Sequence, residues 1–596
     1  MDIILGIDLG TTNSVASVVI NGEIQLIKKN GEAILPSVVG LDEAGNLLVG
    51  RAARNQAVLA PERTIKSIKR KMGVAATVSL GDQEYTPQEI SAMILRRLKE
   101  HAEEQLGQPV AKAVITVPAF FNEIQREATR EAGELAGLEV VRIINEPTAA
   151  SLTYEAKAEH LERLLVYDLG GGTFDVSVVQ MEQGIVEVLA SHGDTKLGGD
   201  DFDDLLLDHV ADAFQKKHDI DLRMSLIAKS RLLRACEDAK IALSAEPFAT
   251  IELEFIAEKD GHPLHLVREI ERAEYEDLIE ALISKTLVCV DESLSDAKLQ
   301  APQIDKVILV GGSSRTPLVQ RLLEERLQQP LHTEVDPDLS VAMGAAVQGA
   351  LIAGVDVGPI LVDITPHTLG IQALGYHDGL YNEFMFAPII PRLSALPANK
   401  SEMFSTASDG QKAVIIAVYQ GENSDVRRNE KVGEFKLEGL AEVEAGNEIL
   451  VRFNLNQDGI LTVTVMERAT GLEKRLTIDN AMEKFRQKNR DAARSRIDAA
   501  FNADPATAQI STKPILVKPT KLAKGIVPAE LQRDVDEAYE LLLTAQKLIP
   551  EATPEDAAEL LSLTGRLEKV LAMPTAEALK TAVAELEDLV FYLQDA

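Results

Sequence analysis

Gly6-Ile7-Asp8-Leu9-Gly10-Thr11-Thr12-Asn13-Ser14 and Asp168-Leu169-Gly170-Gly171-Gly172-Thr173-Phe174-Asp175 are two versions of one device. Each begins at the end of a short apolar strand, places an aspartate there, and turns through glycines and threonines. Glycines let the backbone approach an anion, and successive N–H groups and Thr hydroxyls donate to phosphate oxygens. An aspartate at each turn is suited to hold the water shell of a Mg²⁺ ion that screens the phosphate charge. The two turns stand 160 residues apart, from Asp8 to Asp168. That arrangement predicts a duplicated fold whose halves face each other across a nucleotide.

Working outward, strands and helices alternate from residue 1 to about 358. The pattern predicts a strand over 114–117 ending at Pro118, a helix over 122–136, and a strand over 164–167 feeding the second glycine turn. A third strand, 306–310, runs into Gly311-Gly312-Ser313-Ser314-Arg315-Thr316-Pro317 and a helix over 318–327, another place for a ligand at a helix start. Glu146, in Ile144-Asn145-Glu146-Pro147-Thr148-Ala149-Ala150, precedes a proline and marks a junction; it is a candidate to position a lytic water or the metal's water shell, or a helix-capping acid. Lys69, in Ser67-Ile68-Lys69-Arg70-Lys71, is a candidate point charge for a phosphoryl group, or part of a solvated basic face.

After Pro359 the periodicity changes. Val451, Phe453 and Leu455 alternate with Arg452, Asn454 and Asn456, and Gln457-Asp458-Gly459 leads into Leu461, Val463 and Val465, a hairpin signature. The stretch 364–478 is expected to be an antiparallel β-sandwich. Between the two regions lies the apolar tract Ile360-Leu361-Val362-Asp363, unusual for a linker, or else an ordinary strand leading into the sandwich. From 479 to 596 the chain is expected to be helical: an amphipathic helix over 480–501, a stretch broken by Pro505, Pro514, Pro519 and Pro528, and helices over 529–549, 554–572 and 575–594. The fold class is thus multidomain α/β plus β with a helical C-terminal part.

At 596 residues the chain exceeds a single core. Its formal charge of −33, from 94 acidic and 61 basic side chains, argues against nucleic acid or anionic membrane as partners. Two cysteines, Cys236 and Cys289, supply neither a disulfide framework nor a zinc site and fit a reducing compartment. The chain opens on a strand, without a basic and then long apolar leader, and a cytosolic protein is the expectation.

The three glycine motifs resemble the signatures of the seventy-kilodalton heat-shock (DnaK-type) chaperones, and Ile115-Thr116-Val117-Pro118-Ala119-Phe120-Phe121-Asn122 and Asn145-Glu146-Pro147-Thr148-Ala149-Ala150 match as well. The resemblance is specific over 1–358, continues to about 478, and fades beyond. It implies an actin-like, ribonuclease H-like duplicated ATPase domain (1–358), a hydrophobic linker (359–363), a β-sandwich for peptide (364–478) and a helical lid-like part (479–596). It implies ATP/ADP, Mg²⁺ and K⁺ as ligands. By the same resemblance Asp8 and Asp168 hold the metal's waters, Lys69 is the catalytic lysine, and Glu146 and Thr173 order the lytic water. Gly10, Thr11, Thr12, Asn13, Gly170, Gly171, Gly172, Thr173, Gly198 and Gly199 are phosphate contacts. Glu237, Lys240 and Ser244, which helical spacing puts on one face, contact adenosine, with Gly311, Gly312, Arg315 and Asp338 near the base.

The resemblance also makes Pro118 and Arg126 a switch pair, and 360–363 a linker docked in one nucleotide state and released in the other. Arg142, Asn145, Thr148 and Asp363 match a J-domain co-chaperone surface, and an exchange factor is a further implied partner. Leu374, Phe404, Ala407, Val414, Ile416 and Ile460 match the groove for extended apolar segments of unfolded clients. Pro359, Leu393, the short loop 181–186, the altered C-terminal helices and the ending Leu593-Gln594-Asp595-Ala596 depart from the common pattern; the short loop is similar to the HscC-like bacterial branch. These departures leave both a latching lid and a plain helical bundle open for the C-terminal part. The function expected is an ATP-dependent chaperone in the bacterial cytosol; alternatives are a nucleotide-gated adaptor for one client, a small-molecule kinase, or a cytoskeletal ATPase.

Overall fold

The structure is a computed structural model; it describes residues 3–153, 160–332, 336–355, 360–377, 380–477 and 483–502, with a few single positions between 538 and 586. Pro359, the proline-punctuated stretch and the three expected C-terminal helices lie outside the described residues or are represented only by those positions. Two compact units are present, 1–504 and 505–596, and every continuous described segment belongs to the first.

The duplication written in the two glycine turns is a duplication of sheets. In the first half Ile4–Leu9 runs parallel to Lys112–Val117, which runs parallel to Glu139–Asn145; on its other side it pairs antiparallel with Asn13–Ile20, followed by Glu23–Leu26. In the second half Glu162–Leu169 runs parallel to Lys306–Val310, which runs parallel to Leu331–His332; on its other side come Phe174–Glu182 and Ile185–Asp194, both antiparallel. Strand order and direction match, so Asp8 and Asp168 occupy equivalent ends of equivalent strands. Each sheet supplies a buried apolar core, centred on residues such as Leu5, Ile7 and Ile115 in one half and Tyr167, Phe174 and Phe202 in the other.

The helices Glu146–Ser151 and Ser340–Ile352 join the halves at a close crossing. A Cβ at Gly344 would lie 1.7 Å from the Ala149 carbonyl oxygen, so only glycine allows the two backbones this approach. Glu146 is the first residue of its short helix, with Pro147 next, a position that proline tolerates because its missing N–H is unneeded there. The junction expected at Glu146 is thus a helix start.

Two four-stranded antiparallel sheets form the sandwich: one joins Leu380–Ile390, Leu369–His377, Ala413–Gln420 and Glu430–Glu438, the other Ala398–Ser405, Glu448–Leu455, Leu461–Glu467 and Glu473–Thr477. Val451, Phe453, Leu455, Leu461, Val463 and Val465 all face its core, as their alternation requires.

The apolar tract does form a strand, Ile360–Val362, but it extends the second half's sheet rather than the sandwich. It pairs parallel to Ile185–Asp194 in the register Ile185↔Ile360, Val186↔Leu361, Glu187↔Val362. Leu361 packs on the core between the halves, and so does Leu393 from the sandwich, which holds a left-handed backbone at φ 64°. The helix Glu483–Asn502 packs on the first half against helices Pro87–Leu106 and Glu123–Leu135: Ala493, Ile497 and Phe501, four residues apart, are buried there. Arg496 reaches Glu89 at 2.5 Å and Arg96 reaches Asp498 at 2.5 Å.

Candidate nucleotide site and its connection to the linker

One cleft between the halves is lined by Asp8, Gly10, Thr11, Thr12, Asn13, Lys69, Glu146, Asp168, Gly170, Gly171, Thr173, Gly311, Gly312 and Asp338. The strands 4–9 and 162–169 bring the two aspartates to its floor, and the glycine turns form its walls. A Cβ at Gly171 would lie 1.9 Å from Thr12 Oγ1, so glycine is needed for the second turn to approach the first. Gly198 and Gly199 brace the second turn from behind: Gly199 N donates to the Gly170 carbonyl at 2.9 Å.

Lys69 is 3% exposed, which removes the reading of a solvated basic face. Its Nζ donates to Glu146 Oε1 at 2.5 Å. Burial works against the ammonium charge, but Glu146 and then Asp8 outweigh it and hold Lys69 above its ordinary value. Asp8 is pushed up to about 7, by burial first and Glu146 second, while Thr116 Oγ1 donates to its Oδ1 at 3.1 Å. Asp168 is raised by burial and then by Glu146 and Asp175. Carboxylates crowded in this way gain from a nearby divalent cation. Thr12 Oγ1 is buried with no protein partner. The crowded carboxylates, the unsatisfied hydroxyl and the glycine cradle are chemically suited to a nucleotide polyphosphate with its metal.

The predicted adenosine group is near but engaged. Glu237 pairs with Arg54 at 2.5 Å, and both line a second cavity with Thr11, Thr12, Ser37 and Lys66. Lys240 Nζ donates to Asp203 at 2.7 Å, Ser244 caps the end of the same helix, and Arg315 Nη2 donates to Asp338 at 2.9 Å and Asp336 at 2.8 Å.

Arg126 and Asp363, two of the residues expected to act as switch and linker, are joined through Asn145 by one chain of hydrogen bonds. Arg126 Nη2 donates to the Ala119 carbonyl at 3.0 Å, in the loop that Pro118 opens, and to Asn145 Oδ1 at 2.6 Å. Asn145 Nδ2 in turn donates to Asp363 Oδ2 at 2.9 Å. Asn145 precedes Glu146, so the linker's last residue is one side chain removed from the cleft. Of the residues matched to a J-domain surface, Asn145 and Thr148 are buried here, and Arg142 contacts Gln457 and Asp458 of the sandwich.

The six groove residues do not all gather. Leu374 and Ala407 are exposed, Phe404 and Val414 lie partly buried on the sandwich core, and Ile416 is inside it. Ile460 sits apart, against helix Glu123–Leu135 of the first half, in a cleft with Glu123, Arg126 and Arg130. It follows the turn Gln457–Gly459 that docks on Arg142, and alternation alone does not reveal that docking. Sequence reasoning also missed Ser67, Arg70, Asp200 and Asp201, which meet across the cleft; no local pattern marks partners more than 100 residues apart.

Among the described residues no helix is long and apolar enough to cross a membrane. The family model described as Hsp70 protein matches residues 4–80 and 74–588. The chain is 48% identical over 486 residues, 80% of both chains, to the chaperone protein DnaK of Thermotoga petrophila, with the same figures for that of Thermotoga maritima. It is 46% identical over 479 residues to the chaperone protein DnaK of Halobacterium salinarum, covering 80% of this chain and 75% of the relative. The kinase, cytoskeletal and single-client readings are not favoured by these relatives. With a nucleotide cleft, a docked apolar linker and a sandwich in one chain, the protein belongs to the Hsp70 family and is an ATP-hydrolysing chaperone that binds unfolded client segments and works with co-chaperones.

Proposed function

We propose that the cleft residues act as follows. Thr11, Thr12 and Asn13 with Gly10, and Gly170–Thr173 with Gly198 and Gly199, hold the phosphates; Asp8 and Asp168 hold Mg²⁺ through its waters. Glu237, Lys240 and Ser244, with Gly311, Gly312, Arg315 and Asp338, hold the adenosine portion, and K⁺ assists. ATP, when bound with its metal, supplies the phosphoryl group that passes to water. Lys69 Nζ carries the positive charge that stabilises the transferring group, and Glu146 and Thr173 orient the attacking water.

The observation that carries the coupling is the hydrogen-bond relay Arg126–Asn145–Asp363 beside Glu146, together with the linker strand paired to Ile185–Asp194. A ligand shifts a conformational equilibrium only through differential affinity for the two states. Here the docked linker and the cleft share Asn145 and the Glu146 helix, so the contents of the cleft bias docking. Docking of the sandwich through Arg142, Asp458 and Ile460 then sets the grip of the groove built from Leu374, Phe404, Ala407, Val414 and Ile416 on an extended apolar segment. Undocking frees Asn145, Thr148, Arg142 and Asp363 for a J-domain protein, and an exchange factor resets the nucleotide. The bacterial cytosol is the compartment. The domain limits are those expected from sequence: 1–358, 359–363, 364–478 and 479–596.

Phosphate release without any acceptor, measured with and without an extended apolar peptide, tests this assignment. Stimulation by peptide supports it, and a rate indifferent to peptide in the presence of ATP removes the coupling.

A further inference from the structure

Ser67 starts the one-turn 3₁₀ helix Ile68–Lys71 with a left-handed backbone, φ 54° and ψ 31°. A serine held there accepts backbone strain, and its hydroxyl shows what accompanies it: Oγ donates to Asp200 Oδ2 at 2.6 Å, in the opposite half of the cleft. Three residues on, Arg70 Nε donates to the Gly172 carbonyl at 3.1 Å and its Nη2 pairs with Asp201. Asp201 also accepts the Gly198 N–H at 2.8 Å, and Asp200 N donates to the Gly171 carbonyl at 2.7 Å. The first half thus grips the second half's phosphate turn both directly and through the start of helix Gly199–His218.

Adjacent side chains on a 3₁₀ turn diverge by a third of a circle. Lys69 therefore points to Glu146 in its own half while Arg70 points across the cleft. One turn of chain carries both, and separation of the halves pulls on the same backbone that places the lysine. The Arg70 pair is partly shielded, 22% and 29% exposed, and is charge-assisted, which gives it more weight than a surface ion pair.

We propose that Ser67 and Arg70 form a cross-cleft clamp and that Arg70 is a positioning residue, tying closure of the halves to the placement of Lys69. The inference rests on the reading of Lys69 as the charge that serves phosphoryl transfer, and Lys69→Ala run in parallel separates the two. Full-length Arg70→Met is expected to release fluorescent ADP about tenfold faster and to hydrolyse ATP in a single turnover about tenfold slower. In nucleotide-free protein, the Arg70 and Met72 amides, bonded to Ser67 and Lys69 carbonyls at 3.2 and 3.1 Å, are expected to exchange hydrogen faster. Asp201→Asn keeps the cap on Gly198 but removes the charge; added to Arg70→Met it is expected to cause little further change in ADP release.

Ser67→Gly retains the left-handed backbone and removes the hydroxyl, so it tests the clamp if Arg70→Met does not fold. A release rate about threefold faster is expected. Unchanged ADP release in Arg70→Met or Ser67→Gly, or independent multiplication of the Arg70 and Asp201 effects, overturns the clamp. Normal hydrolysis by Lys69→Ala overturns instead the reading beneath it.

Discussion

Lys69 Nζ donates to Glu146 Oε1 at 2.5 Å, and the two side chains are only 4% and 8% exposed. Asp8 and Asp168 stand close enough to be shifted by both members of the pair and to help hold Lys69 charged. Removing the lysine leaves an acidic cluster without its cation. Lys69→Ala is expected to lose at least about 100-fold in turnover, the scale of one electrostatic group at a transferring phosphoryl centre. ATP binding survives, because the glycine turns and Arg315 are untouched. Without nucleotide or metal the variant is expected to lose about 3 kcal/mol of stability, since breaking a buried pair strands the remaining charge. Single-turnover hydrolysis, equilibrium nucleotide binding and thermal unfolding measure the three effects; a wild-type turnover rate removes the assignment.

Leu361 pairs with Val186 and packs on the core between the halves. Leu361→Asp places a charge in that seam, and desolvating it costs several kcal/mol unless the strand leaves. The strand is expected to leave. Basal hydrolysis then persists, while stimulation by an extended apolar peptide disappears. Stimulation that survives the substitution would show that coupling bypasses the linker.

The two glycine turns and the duplicated strands beneath them were legible because each is a local pattern: strand, aspartate, glycines, hydroxyls. Lys69 and Glu146 each left two readings open in the local pattern, a phosphoryl charge or a basic face for one and a water-positioning group or a cap for the other; the resemblance chose between them, and their pairing spans 77 residues. The linker's apolarity was visible, but its partner strand lies 175 residues upstream, from Ile185 to Ile360, and nothing in 360–362 encodes which sheet it extends. Docking was illegible for the same reason. Asn122 to Glu430 at 2.5 Å, Arg392 to Asp296 at 2.8 Å and Arg142 to Gln457 join surfaces whose residues each read as ordinary solvated polar groups.

Phe501 illustrates the point and yields another prediction. Its ring is buried, with the Arg96 guanidinium 4.4 Å and that of Arg97 5.1 Å from the centroid. Burial and the cation–π contacts together make it the anchor of helix 483–502 on the first half. Phe501→Ala is expected to weaken that docking by about 3 kcal/mol. Amides in 490–502 then exchange faster, while those of the glycine turns keep their protection. Equal protection in variant and parent would place the anchor elsewhere.

The interface between the first half and the sandwich contains two groups, Glu123 on one side and His367 on the other, that titrate in opposite senses. Glu123, enclosed with Arg126, Asp458 and Ile460, is pushed up from 4.5 to about 7 by burial, against the pull of Arg126. The docked form keeps its proton where the undocked form has lost it, so this support is complete below pH 4.5 and fades as pH rises to about 7. His367, whose Nε2 lies 3.3 Å from the Phe120 carbonyl, is lowered from 6.5 by burial first, with Arg126 and His192 adding to it and Glu422 opposing. Docking keeps it neutral, so this support is complete above pH 6.5 and fades as pH falls. The Glu123 contribution is bounded at about 3 kcal/mol from its shift. Exchange of the Ile360 amide, bonded to the Gly184 carbonyl at 2.8 Å, reports docking. At pH 7.5 Glu123→Gln is expected to slow that exchange relative to the parent, and at pH 5.5 His367→Leu is expected to do so. The double variant should lose the share of the pH dependence between 5 and 8 that these two groups supply. If neither substitution changes the ratio to the parent at its own pH, the two groups do not govern docking.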